Sequence, residues 1–522
     1  MQYTPGTPYF CDSIPTLKER GNGVIDANTV IPATVYNAFV NNSLKDPFLD
    51  RTPFLEHVGM RSEVSHLSTQ LGYSLPMGMD LAVNVGYNES NTTSIFDLDK
   101  TKTNNFMNVQ VNPTHDLTVD ARISTDASAA LRGTVGVSRY TAFYGFSQID
   151  FNAGLGATAA VIGANYSNFD SVVPAIYGSV EYDINKQLTA SLEARYQQDK
   201  VTSLTRSGIA LTNETKNWLP RLTLRYKLNP ATSMYVNVAK GVQPLTVNSG
   251  YTAASEAGKA LIRALIPGAS DFTTQPKLTA LEFGLKQRLG KNLQYALAVY
   301  DQKWKGRLTG TTLFNPSSCG TTTGTPECPF TAAGSGVQGG NDARIRGLEL
   351  SVDAQLSPQW VAGGYVDYKR ATWDRFDSSS QSRFGTNRAL ALTGEAVNFN
   401  GNTVGRVPDL TISANTTYRY ALGAGWQGYV RGDLNYVGKQ WDSDYNFVQS
   451  DAYTRLDARV GFEKGETSFE VFVRNLADDR SWTTSSRVPN LGITPLNNFS
   501  LQGMTAVAQE ARTFGVRLRH AF

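Results

Sequence analysis

The sequence predicts an all-β chain, a transmembrane antiparallel β-barrel of about 17 strands. Three observations predict it. The final segment, Ala511-Arg-Thr-Phe-Gly-Val-Arg-Leu-Arg-His-Ala-Phe522, alternates between an apolar face (Phe514, Val516, Leu518, Phe522) and a polar one (Arg517, Arg519), as a strand between lipid and an aqueous lumen must. The same hairpin figure recurs along the 522 residues, and no Pro-rich, Ser-rich or charge-dense linker divides them. Hydrophobic residues make up 41% and mean hydropathy is -0.29. No apolar run reaches the ~18 residues a spanning helix needs, whereas a barrel strand needs only every second residue apolar. The 46 glycines and 11% aromatics suit tight turns, close strand contacts and interfacial girdles. A net charge of +3 points to no nucleic-acid partner.

The elements follow in order. The first strand covers Met60 to Leu75, and Pro76-Met77-Gly78-Met79 turns it into Leu81, Val83, Val85 and Tyr87 on one face with Asn84 and Gly86 on the other. Further turn-forming clusters stand near Asp126, at Asn185-Lys186-Gln187, Asn229-Pro230, Gly290-Lys291-Asn292, Ser357-Pro358-Gln359, Leu422-Gly423-Ala424-Gly425 and Lys464-Gly465-Glu466. Long polar connections alternate with them: 88–113, 141–172, 203–214, 241–276, 308–343, 373–406, 441–452 and 479–509. In outer-membrane barrels the long side is extracellular. After Gln187 the outward set is Leu188, Ala190, Leu192, Ala194 and Tyr196, against Thr189, Ser191, Glu193, Arg195 and Gln197 inward. Leu281, Phe283, Leu285 and Leu289 oppose Glu282, Lys286 and Arg288 in the same way, and Leu348, Leu350 and Val352 oppose Glu349, Ser351 and Asp353. A soluble sandwich core would reject those inner charges, whereas a wet or plugged lumen takes them.

Parity carries a further expectation. With long loops outside, the first strand runs inward, so residues 1–58 form an extracellular loop segment and 59–522 the barrel domain. An odd strand number and an exterior start are foreign to bacterial single-chain barrels, and Met1-Gln-Tyr-Thr-Pro has no signal-peptide character. The chain is therefore expected to be truncated. Cys319 and Cys328, in a Gly/Thr/Pro-rich stretch, are expected to close a loop disulfide in an oxidising compartment. Cys11 is left over, its partner expected in missing upstream sequence.

Several ordered segments resemble the barrel of TonB-dependent outer-membrane receptors. They are Tyr177-Gly-Ser-Val-Glu-Tyr-Asp183 with Leu188-Thr-Ala-Ser-Leu-Glu-Ala-Arg-Tyr196, Trp218-Leu-Pro-Arg-Leu-Thr-Leu-Arg-Tyr226, Met234-Tyr-Val-Asn-Val-Ala-Lys-Gly-Val-Gln-Pro244 with Asn248, and Leu278-Thr-Ala-Leu-Glu-Phe-Gly-Leu-Lys286. Arg346-Gly-Leu-Glu-Leu350, Gly405-Arg-Val-Pro408, Val473-Arg-Asn-Leu-Ala-Asp478 and the terminal Phe522 complete the set. The resemblance implies a barrel of about 22 strands around a plug, of which this chain supplies about 17, with plug, energy-coupling box and first strands upstream. It implies active uptake of a scarce nutrient across the outer membrane of a Gram-negative bacterium. A ferric siderophore or other metal chelate is the default ligand, with oligosaccharides and cobalamin-like molecules as alternatives. The implied partners are outer-membrane lipid, an extracellular small molecule, the barrel-assembly machinery reading Phe522, and a TonB-type protein acting through the missing N-terminal region.

Enzyme signatures are missing from the sequence. His57, His66, His115 and His520 stand apart from one another and from cysteine, giving no metal-ligand spacing. No nucleophile elbow, P-loop or dinucleotide fingerprint occurs, so no catalytic residue and no cofactor is assigned. Loop aromatics paired with bases are the candidates for a ligand vestibule: Tyr251 with Lys259 and Arg263, Trp304 with Arg307, Trp373 with Arg375, Trp441 with Tyr445, and Trp482 with Arg487. Such pairs suit an anionic, ring-bearing ligand or stacking on sugars, and they also suit a girdle at the membrane surface. Leu261, Ile262, Leu265 and Ile266 have the spacing of a short helix over Ala253 to Ile266. A passive porin-like channel and a surface-adhesion barrel are the rival readings.

Overall fold

The computed structural model describes residues 12–13, 48, 55, 58–97, 106–152, 160–204, 210–313, 325, 327–328, 335–378, 397–489 and 502–521. Alternating apolar and polar residues generate 17 barrel strands. They are β1 (Gly59–Leu75), β2 (Met79–Asp97), β3 (Phe106–Ser124), β4 (Leu131–Asn152), β5 (Ala160–Asp183), β6 (Leu188–Leu204), β7 (Ala210–Asn229) and β8 (Thr232–Val242). After a helical connection come β9 (Lys277–Leu289), β10 (Leu293–Leu313), β11 (Ser335–Gln355) and β12 (Trp360–Arg375). The wall ends with β13 (Leu410–Gly423), β14 (Trp426–Val437), β15 (Tyr453–Lys464), β16 (Thr467–Arg474) and β17 (Thr513–His520). Each strand pairs antiparallel with the next in sequence.

In these ladders β1 pairs with β2 and β17 with β16, and neither has a second partner among the described residues. Burial reflects this. Every residue of β1 except Leu75 is exposed, whereas β6, with a neighbour on each side, is mostly half-buried. The backbone groups along the free edges of β1 and β17 are therefore the part of the wall still open to a further strand.

The expected faces hold. Leu192 is 58% and Leu518 72% exposed on the outer surface, where lipid rather than water meets them. The inner surface is a polar network. Arg132 donates to Asp183 at 2.8 Å and pairs with Glu181, while Glu470 accepts from the Tyr429 hydroxyl at 2.7 Å and from Arg517 at 3.1 Å. Tyr235 lies across Gly284 and donates to Glu282. A Cβ at Gly284 would overlap the Tyr235 ring, so this glycine serves close packing within a strand.

All eight expected short turns join strands at the expected places. The long connections need correction. Strands β2 and β3 stay in register from Asp80↔Ser124 to Asp97↔Met107, and β4 pairs with β5 up to Asn152↔Ala160, where loops were expected from residue 88 and residue 141. Beyond the apolar band a strand no longer has a lipid face, so the alternation fades while the backbone ladder continues. A strand of 24 residues such as β5 extends ~80 Å along its own axis at ~3.3 Å per residue, several times the ~25 Å band. The last connection holds its own hairpin, Trp482–Pro489 with Gln502–Ala508.

Candidate functional site

The long-loop end of β9 to β12 is covered on its lumen side. Two helices, α1 (Ser249–Thr252) and α2 (Glu256–Leu265), fill the connection after β8. The Ser255 hydroxyl accepts from the Gly258 amide at 3.2 Å and caps α2. The apolar side of α2 places Ile262, fully buried, against Tyr251, Leu313 and Val337, with Leu261 and Ile266 at the margin. Val337 shares the face of β11 that carries Glu349, which points into the lumen, so the helix expected from the spacing packs on the lumen side of the wall. Arg263 donates to the Tyr251 hydroxyl at 2.7 Å and lies 5.9 Å from its ring. Lys259 bonds Glu256 at 3.0 Å, and that carboxylate raises the ammonium above its ordinary value.

A second cluster builds the centre of the mouth. Trp373, 1% exposed, stacks on Phe376 at 4.8 Å, and Phe376, Phe399 and Tyr445 form an aromatic triangle around it. The Arg307 guanidinium stands 4.8 Å from the Trp373 ring and 5.7 Å from the Trp304 ring. Asp444 ties the group together. It accepts from Trp373 Nε1 at 3.1 Å and from the Gly405 amide at 2.8 Å, and lies 3.7 Å from Arg307 Nη1. Asn446 bonds Thr403 from both directions, at 2.7 and 2.8 Å. The segments 399–407 and 442–447 are thereby stapled to the lumen side of β10 to β12.

The paired candidates divide on this geometry. Trp304, Arg307, Trp373 and Tyr445 come together. Arg375 turns away from Trp373 to Asp342 at 3.3 Å and the Gly340 carbonyl at 2.9 Å, and its side chain stays half exposed. Trp441, half-buried, lies in a strand paired with Val448–Ser450, and Trp482 packs on Val448. The Arg487 side chain, Phe522, His57, Cys11 and Cys319 lie outside the described residues. Cys328 is disulfide-bonded. His66 bonds Asn88, His115 stacks on Phe143 and His520 bonds Thr467, so each is used within the wall.

Sequence reasoning missed Asp444, and it quoted Asn475 only within the Val473–Asp478 run, without a role. Asn475, 2% exposed with φ of 49°, donates its side-chain amide to the carbonyls of Asp479 and Glu510 at 2.9 and 2.8 Å and accepts from the Asp479 amide at 3.0 Å. Burial alone would raise the Asp479 carboxyl. Hydrogen bonds from Ser481 and the Thr454 amide instead hold it below the ordinary carboxylate range. The Arg-Asn-Leu-Ala-Asp run is thus a knot between the last strands. Its signal was the cluster of turn-prone residues, Asn475, Asp478 and Asp479, that ends the strand.

A polar-lined barrel wall whose mouth is roofed by its own loops has the architecture of a transmembrane β-barrel. The sequence narrows that class. Residues 16–476 match the model of the TonB dependent receptor-like β-barrel, and the chain belongs to this family of transport receptors. Similar solved structures include the ferric yersiniabactin uptake receptor FyuA from Yersinia pestis, 14% identical with a TM-score of 0.63 over 89% of this chain and 62% of that one. The siderophore receptor PiuA from Acinetobacter baumannii is 13% identical, with a TM-score of 0.62 over 88% of this chain and 64% of that one. BauA, the ferric preacinetobactin receptor of the same species, gives 13%, 0.59, 88% and 63%. The chain spans less than two thirds of the length of each of these structures.

Proposed function

We propose that this chain is the barrel of an active-transport receptor in the outer membrane of a Gram-negative bacterium, with a ferric siderophore or other anionic metal chelate as its ligand. The observation that carries the ligand class is the cationic and aromatic mouth: the Arg307 guanidinium beside the Trp304 and Trp373 indoles, with Arg263 against Tyr251 in the neighbouring cluster. Guanidinium groups beside ring faces suit a ligand that is both anionic and aromatic. FyuA is named for ferric yersiniabactin, BauA for ferric preacinetobactin and PiuA for a siderophore, which supports a ferric chelate here. No chemistry on the ligand is assigned, and the chain is read as a transporter rather than an enzyme.

Residues 1–58 are assigned to an extracellular segment ahead of the barrel at 59–522. Two contacts support this: Asp12–Ser13 pair with Val448–Gln449 at the long-loop end, and Phe48 packs edge-on against Phe143 at 6.1 Å. The Cys319–Cys328 disulfide, a role for Phe522 in barrel assembly and contact with a TonB-type protein through sequence preceding the barrel belong to the same proposal.

Uptake of radiolabelled iron by a strain carrying the full gene tests it. Deletion is expected to abolish uptake of one ferric chelate from a panel, and Arg307→Gln to weaken its binding by about tenfold. Unchanged iron uptake, with loss of an oligosaccharide or a corrinoid instead, would move the ligand class. Uptake that survives depletion of the energy-coupling protein would favour a passive channel.

A further inference from the structure

The lipid-facing wall carries a basic patch that the mouth does not use. Lys216 on β7, Lys240 on β8, Lys277 on β9 and Lys303 and Lys305 on β10 line a cavity of about 500 Å³ together with Trp218. All five are exposed. Ladder register sets their face: Thr279 lies between Lys240 and Lys303, and Lys277 between Val242 and Lys305. Further along the same face of β9 stand Leu281 and Phe283, 50% and 44% exposed, flanked by Val238, Val236 and Val299. The lysines therefore project outward, above the lipid-facing belt. Strand β9 has 13 residues, which at ~3.3 Å per residue and a tilt of ~40° places Lys277 roughly 30 Å from the short turn, just past the ~25 Å apolar band.

The arrangement is electrostatically incomplete. Lys277 and Lys305 face each other directly across the ladder, a like-charge pair that costs stability. Lys216 has Glu214 at 3.9 Å. Among the described residues no carboxylate comes within ion-pair distance of Lys240, Lys277, Lys303 or Lys305, although Asp342 feels the charge of Lys305. Asp301, on the same face, is already taken by Arg344 and Arg346. Trp218 and Tyr196, with ring centroids 5.0 Å apart, stand beside the lysines at the level where amphipathic rings meet head groups.

We propose that this patch binds the phosphorylated head group of a glycolipid in the outer leaflet, with the lysines on its phosphates and the belt below on its acyl chains. The proposal rests on the outer-membrane orientation given above. A zwitterionic lipid would leave the repulsion unrelieved, and a free anion would make no use of the apolar surface beneath.

Native mass spectrometry of the full chain, titrated with bis-phosphorylated lipid A, its dephosphorylated form and phosphatidylethanolamine, tests it. A retained adduct is expected with the first alone, undisturbed by equimolar inorganic phosphate. Replacing Lys240, Lys277, Lys303 and Lys305 by Gln should weaken it at least about tenfold, and replacing them by Arg should preserve it. Lys186→Gln with Lys227→Gln, at the opposite rim, should leave it unchanged. Equal binding of the dephosphorylated lipid, equal binding by the Gln variant, or displacement by inorganic phosphate would overturn the site. If the Gln variant fails to give the compact, heat-modifiable form, the phosphate dependence of the unaltered chain decides. Chelate binding is read in parallel: a chain that binds lipid A and no chelate overturns the proposed ligand and leaves the lipid site standing.

Discussion

The two ends of the barrel use the same wall in opposite ways. At the long-loop end, β10 to β12 are roofed by segments that bury Trp373, Phe376 and Phe399 and hold a guanidinium between indoles. At the short-turn end the wall encloses a cavity of about 1050 Å³ bordered by Lys186, Lys227, Lys286, Arg288 and Asp353. One end is a packed aromatic core and the other is a wet polar rim. Loops that fold into a core can hold arginines in fixed positions, which recognition needs. A rim of solvated lysines holds no side chain in a fixed position.

Removing the keystone of the packed end should break that contrast most severely. Trp373→Ala deletes a buried indole, its stack on Phe376 and its bond to Asp444, a loss of about 3–5 kcal/mol to the roof. Hydrogen exchange should show segments 399–407 and 442–447 losing protection while β5 to β9 keep theirs. Uniform loss along the wall would mean that the roof has no stability of its own.

Asn475→Ala comes next, at about 1–3 kcal/mol, because it deletes a buried side-chain amide that ties the Asp479 and Glu510 carbonyls together and puts alanine at a left-handed φ. Urea unfolding in vesicles should show β15 to β17 releasing first. The neighbouring Asp479 sharpens the test through pH. Its folded value lies below its unfolded one, so its contribution is present above the ordinary carboxylate range and disappears as pH falls through the folded value. Exchange of the Thr454 and Ser481 amides should accelerate in that acid window, and Asp479→Asn should remove the acid step.

Gly284→Ala probes the wall between the two ends. The added methyl displaces the Tyr235 ring, and overpacking of this kind costs about 1–3 kcal/mol. A lowered midpoint for the folded, heat-modifiable form would check it. Tyr235→Ala in the same chain should recover much of the loss, because it removes the clash.

How far the sequence disclosed these regions depended on the range of the interactions. Turns such as Asn229-Pro230 and Gly290-Lys291-Asn292 were legible because their geometry is set by adjacent residues. The lipid-facing rows were legible because period-two alternation is forced by the bilayer. The strand extensions were not, since Thr141 to Asn152 has no bilayer to enforce alternation and is held by its ladder with β5. The mouth was half legible. Trp304 with Arg307 is a local pair that survives in three dimensions, but the link from Trp373 to Asp444 spans 71 positions and leaves no mark in either neighbourhood.

The smallest effect should come from the open end, and it decides whether the contrast is real. Lys227 borders the cavity beside the Asn229-Pro230 turn and is exposed. Lys227→Gln should change stability by no more than about 0.5 kcal/mol, as a solvated surface substitution does, and should leave binding of the proposed chelate unaltered. If it destabilised the fold as much as Gly284→Ala, the rim would be a load shared with the wall and not a free polar surface. If stability held while uptake fell and binding did not, the lysine would act on passage alone, and recognition and exit would be separated along one set of strands.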